Sequence, residues 1–223
     1  MDWAAFSLSL KLSGCTVAVL LICGLLVARW FAGCEFRGRG MVEAIVALPL
    51  VLPPTVLGYY LLLFMGRQSP LGSAVESLTG ESLVFSFSGL LIASVIYSFP
   101  FAVQPMLLAF ESIPRGIREA AWCSGLSKWQ TFWRIELPLA RTGVVSGLAL
   151  SFAHTMGEFG VVLMVGGNIP GETRTISIAI FDQVQSFEDT SAALMSFVLL
   201  VFSFGVVSLV YTLNHRFPVR MGG

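Results

Sequence analysis

The chain has 223 residues, of which 56% are hydrophobic and 12% charged, with a formal net charge of zero. Its mean hydropathy is +0.83, and a soluble fold of this length cannot hide so much apolar surface. That excludes an ordinary cytosolic domain and predicts an all-α, polytopic membrane protein with five to six transmembrane helices.

A spanning helix needs ~20 largely apolar residues to cross a hydrocarbon core ~30 Å thick. Uncharged runs of that size cover residues 12–28, 44–66, 82–110, 142–157 continuing past Glu158 to 171, and 190–214. In lipid only helices or closed barrels satisfy every backbone group, and the alternating polarity of barrel strands is missing here. The first run has no basic cluster before it and is followed by Arg29 and Trp30, so it reads as a retained helix and not as a cleaved leader.

Assigning the charges to the connections reveals a strong asymmetry. Arg29, Arg37, Arg39, Arg115, Arg118, Lys128, Arg134, Arg141, Arg216 and Arg220 all fall on one side. Lys11, Arg67 and Arg174 fall on the other, among seven carboxylates from Asp2 to Asp189. The positive-inside rule then puts the N-terminus outside and the C-terminus in the cytoplasm. Cys34 and Cys123 lie on the cytosolic side, where thiols stay reduced, and no disulfide, metal or cofactor framework is expected.

The second run carries Pro49, Pro53 and Pro54 and the third Pro100 and Pro105, which remove backbone hydrogen bonds and predict kinks. Residues 67–81 and 166–189 read as outer loops rich in turn-formers, the second containing Asn168. Ser94, Ser98 and Gln104 give the third span polar groups that suit an aqueous path or a helix contact. Glu158 is the one carboxylate deep in a run, with His154 one helical turn before it and Gly157 and Gly160 flanking. A buried ionisable group is a functional candidate. A carboxylate repels an anion, so a packing or gating contact is the expectation, with a proton relay through His154 as the other reading. The pathway and gating candidates are Pro53, Pro54, Ser94, Ser98, Gln104, Gly157, Glu158 and Asn168.

The inner segment 111–141 mixes charges with Trp122, Trp129 and Trp133. Pro114 suits a helix start, Gly125 a helix end, Ser127 with Gln130 a capping box, and Pro138 the first turn of the next span. The segment therefore reads as helix, glycine turn, helix and re-entry, a compact unit suited to docking on a partner. An interfacial segment anchored by its tryptophans is the competing reading.

Glu119, Ala120, Ala121, then Gly125, then Ile135, Glu136, Leu137 and Pro138 match in type and spacing the EAA loop of ABC importer permeases. Residues 47–72, 97–106, 157–160 and 166–175 likewise resemble molybdate-type permeases, and sulfate-type permeases share parts of the pattern. The resemblance implies a permease subunit, not an enzyme, in the bacterial cytoplasmic (inner) membrane. It implies that Arg115, Arg118, Glu119, Ala120, Ala121, Gly125, Leu126, Ile135, Leu137 and Pro138 couple the chain to separate ATP-binding cassette ATPase subunits. It also implies a periplasmic or tethered substrate-binding protein. No GxxxxGK[ST] loop is present to cradle phosphates. One coupling loop per chain suggests a two-fold dimer with a second copy, set in the lipid bilayer, and no nucleic acid is expected. Residues 1–223 read as one transmembrane permease domain, with the coupling loop 111–141 inside it. A sulfate/thiosulfate-type permease is the alternative within the family. A secondary transporter would need repeat symmetry and several intramembrane charges, and a membrane enzyme a catalytic cluster at one face; the sequence shows neither.

Overall fold

A computed structural model describes residues 1–216, and every regular element among them is helical. In chain order these are α1 (Trp3–Gly33), α2 (Arg39–Val51), α3 (Pro54–Met65), α4 (Pro70–Thr79), α5 (Phe87–Glu111), α6 (Arg115–Cys123) and α7 (Lys128–Thr131). A π-helical turn (Phe132–Glu136) then leads into α8 (Leu137–Gly157), followed by α9 (Gly160–Gly166), α10 (Ile176–Gln185) and α11 (Asp189–Arg216). Four helical stretches are long and apolar enough to cross a membrane, and a bent pair, α2 with α3, brings the number to five.

The bundle is built on α1, α5 and α8, which pack on one another more than on anything else. α1 buries Ser9, Ser13, Thr16, Leu20, Gly24, Ala28 and Phe31, steps of three and four that draw one stripe along the helix. Small residues on that stripe let backbones approach; at Gly24 a Cβ would already touch Met106 Sδ at 3.5 Å. The α5–α8 crossing is closer still. Gly143 and Gly147 form a G-x-x-x-G spacing, and a Cβ on Gly147 would lie 2.7 Å from Ala102 O. α11 buries little of its surface and packs mainly on α8 and α10.

The second run is broken, not merely kinked. α2 and α3 meet at 110°, because Leu52 and Pro53 each precede a proline and are held extended, at ψ 137° for both. Pro49, by contrast, is carried inside α2, and α5 stays one helix through Pro100 and Pro105. The fourth run is broken too: α8 stops at Gly157, Glu158 is extended at ψ 134°, and α9 restarts at Gly160. The two breaks face each other, since a Cβ on Gly160 would meet Pro54 Cβ at 2.7 Å and one on Gly58 would meet Met164 Cβ at 2.8 Å.

Both expected outer loops contain helices. Ser69 caps α4 through a 2.8 Å bond from Gly72 N, and α10 buries Ile176, Ile178 and Ala179, tied to α1 where Ile176 N donates to Ser9 Oγ at 2.8 Å. Arg216 ends α11, and Arg220, counted above with the basic side, lies outside the described residues.

Candidate functional site

The segment from Arg115 to Pro138 folds as its local signals require. Pro114 precedes α6, and Gly125, at φ +85°, ends it in a Schellman arrangement: Gly125 N donates to Trp122 O at 3.0 Å and Leu126 N to Ala121 O at 3.1 Å. Only a residue without a Cβ enters that left-handed region freely. Ser127 and Gln130 form the expected capping box in both directions. The second helix differs from expectation, because α7 runs through the π turn straight into α8 and is the foot of the span, not a separate piece. Pro138 sits in the first turn of α8.

Exposure divides this segment into an outer and an inner face. Arg115, Glu119, Ala120, Gly125, Trp122, Trp129 and Trp133 are exposed, whereas Ala121, Arg118 and Glu136 are buried. Leu126, Ile135 and Leu137 lie between these extremes. A cleft of about 850 Å³ separates α6 from the end of α1, with Arg29, Glu35, Arg115, Arg118, Trp122 and Lys128 among its lining residues. Arg115 pairs with Glu35, and Arg39 with Glu43 and Glu111. These pairs place the connections after α1 and α5 together, as the shared basic side predicted. All three pairs are open to solvent at least in part, so screening leaves each a small contribution.

Beneath that face lies a pairing that sequence reasoning did not find. Glu136 is fully buried and holds two guanidinium groups, Arg118 Nε at 2.7 Å on Oε1 and Arg29 Nε on Oε2. Arg118 Nη2 also donates to Phe110 O at 2.9 Å. The signal in the sequence was an acid at the start of an apolar span beside a surplus of arginines; spacing carries no information about which distant arginines would meet it.

The second cluster lies at the paired breaks. Ser94 Oγ donates to Glu158 Oε2 at 3.1 Å, while Oε1 has no hydrogen-bond partner though buried. Ser98 Oγ lies 3.0 Å from His154 Nδ1 and 2.9 Å from Thr155 Oγ1. The His154 ring stacks on Phe101 with centroids 4.1 Å apart and leans on Tyr97. A cavity of about 440 Å³ is lined by Pro54, Thr55, Tyr97, His154, Gly157 and Glu158, among others. Ser94, Ser98, Pro54, Gly157 and Glu158 are thus brought together, with Pro53 at the bend beside them. Because Glu158 has left the helix, its relation to His154 is set by this break and not by the helical spacing expected.

Two candidates lie elsewhere. Gln104 lines a separate 490 Å³ cavity between α2 and α5. Asn168 is exposed in the loop after α9, donating to Asp182 Oδ2 and accepting from Arg174 Nε, both at 2.6 Å.

The cluster at Glu158 makes a direct prediction. Glu158→Gln keeps an acceptor for Ser94 but removes the ionisable carboxyl, and it should lower the initial uptake rate by about three- to tenfold while leaving the ratio of rates for two oxyanions unchanged. Vesicle uptake with both anions checks this; an altered ratio would assign the carboxylate to substrate selection instead.

The chain belongs to the family described as binding-protein-dependent transport system inner membrane component, whose pattern matches residues 20–218. It is therefore a multi-pass inner-membrane permease component and not itself an ATPase. It is 46% identical over 220 residues to the molybdenum transport system permease protein ModB of Azotobacter vinelandii, covering 99% of this chain and 97% of that protein. The Escherichia coli K12 protein of that name is 38% identical over 83% of this chain and 81% of its own length. A probable sulfate transport system permease protein cysT from Anthoceros angustus is 30% identical over 93% of this chain and 72% of its own. Among solved structures, a bacterial ABC transporter involved in import of the acidic polysaccharide alginate superposes with a TM-score of 0.78 at 20% identity, over 96% of this chain and 78% of that one. That likeness supports the fold.

Proposed function

We propose that this chain is the membrane-spanning subunit of an ATP-driven importer of a tetrahedral oxyanion, molybdate or the near-identical tungstate, energised by ATP hydrolysis on separate cassette subunits. The observation that carries the coupling role is α6: a short helix with Glu119 and Ala120 exposed, ended by a left-handed Gly125. Such a surface admits close approach by a partner groove. The molybdenum permeases at 46% and 38% identity favour the substrate over sulfate, whose named relative stands at 30%.

In this reading segment 111–141 lies in the cytoplasm as part of a single permease domain, the N-terminus is outside, and two copies enclose the pathway. A periplasmic or tethered binding protein delivers the anion on the opposite face, over residues 67–81 and 166–189. Closure of the ATPase pair moves α6, and the motion reaches the paired breaks at Pro53–Pro54 and Gly157–Gly160, which open or shut the path. Irregular backbone at membrane depth is tolerated where it is buried or lines a cavity, as at these breaks.

The test is assembly followed by flux. Co-expressed with its cassette subunit, the chain should copurify with it as a complex holding two copies of each. In vesicles with ATP inside and the loaded binding protein outside, labelled molybdate should enter, and tungstate should compete far better than sulfate. Uptake without any cassette subunit would refute the reading, and stronger competition by sulfate would move the substrate to the sulfate class.

A further inference from the structure

We infer that Glu136 is a positioning residue for energy coupling: its carboxylate joins the docking helix α6 to the first turn of α8, so that displacement of one moves the other. The inference rests on the coupling reading above and assigns its internal transmission to one buried group.

Glu136 closes the π turn, in which Leu137 N bonds Phe132 O. A π turn inserts an extra residue and re-aims the side chains after it, and such turns recur at functional positions. Here the turn ends on a carboxylate with no solvent exposure and both oxygens engaged. One oxygen holds Arg118 of α6, which also grips the final turn of α5 through Phe110 O. The other holds Arg29 near the end of α1. Glu136 and Arg118 together therefore join α1, α5, α6 and the start of α8.

The consequence is mechanical. Arg118 sits directly before the exposed Glu119 and Ala120, so a force on that face acts at the arginine's own backbone. Moving α6 away from Glu136 would strip one of two guanidinium partners from a fully buried carboxylate, which is costlier than moving both together. Glu136 in turn begins α8, whose 21 residues extend ~30 Å to the break at Glu158. One rigid route from the α6 face to the cavity at Glu158 therefore runs through this carboxylate.

The measurement uses the whole complex in vesicles and compares the cassette subunits' basal ATPase with its stimulation by loaded binding protein. Glu136→Gln preserves shape and removes the charge. Stimulation and uptake should fall between about three- and thirtyfold, and by a larger factor than basal ATPase. Arg118→Met should do the same. The double variant should lose clearly less than the two single losses combined, because the Arg118–Glu136 contact is broken in both. Wild-type stimulation in Glu136→Gln, or additive losses in the double variant, would overturn the inference while leaving the coupling reading intact. Should Glu136→Gln fail to accumulate, Arg118→Met and Arg29→Met carry the test, and equal loss of basal and stimulated ATPase in both would mark the cluster as structural only. If the wild-type complex itself shows no stimulation, the coupling reading fails first, and the inference with it.

Discussion

Gly125→Asp is expected to abolish oxyanion uptake while the permease still reaches the membrane. Gly125 sits at φ +85° with no atom near the position a Cβ would take, so the substitution meets no steric wall. Its conformational cost in the left-handed region is ~1–2 kcal/mol, and aspartate is among the residues that tolerate that region best. The larger effect is electrostatic. The residue is exposed beside the docking helix, and a carboxylate added there would be enclosed on docking without a partner, at ~3–5 kcal/mol. That corresponds to a loss of a hundredfold or more in productive engagement with the cassette subunit. Gly125→Asn carries nearly the same shape and backbone preference without the charge and should retain most of the uptake. Measuring copurification, ATPase stimulation and uptake for both variants separates the two causes. Normal values for Gly125→Asp would remove segment 111–141 from the coupling role.

The second large effect is expected at the α5–α8 crossing. A Cβ on Gly147 would stand 2.7 Å from Ala102 O, 3.3 Å from its Cα and 3.4 Å from its carbonyl carbon. All three are backbone atoms of a neighbouring helix, so relief requires the helices to separate along their length. Gly143, one turn earlier, is closed in by Pro105 O and Ala109 Cβ. Gly147→Ala should cost ~1–3 kcal/mol by overpacking, and Gly147→Leu more, enough to cut the amount of folded chain in the membrane at least tenfold. The same separation would pull Ser98 from His154 and Thr155, so surviving protein should also transport poorly. Membrane abundance and thermal inactivation of the purified complex are the readouts. Wild-type abundance of Gly147→Leu would show that the helices do not cross as closely as described.

Segment 111–141 was legible because its signals are local. A proline before a helix, a left-handed glycine after it and a Ser–Gln box are backbone rules acting over four to six residues, and α6 and α7 form where those rules place them. The spans were legible for a similar reason, since crossing lipid demands length and apolarity in one stretch. Gly143 and Gly147 carry a recognisable spacing as well, although which helix they face is settled only by packing.

What the chain's composition, charge placement and local motifs determined by themselves is an all-helical membrane protein with one compact, charged helix–turn–helix segment at 111–141. Tertiary structure alone decided that two of the runs break against each other, that Glu158 leaves its helix to meet Ser94, and that Glu136 gathers arginines 18 and 107 positions away in sequence. The reason is physical. Helix formation and membrane crossing are satisfied within a segment, but a buried carboxylate can be stabilised only by partners that folding brings to it, and nothing in its own neighbourhood names them.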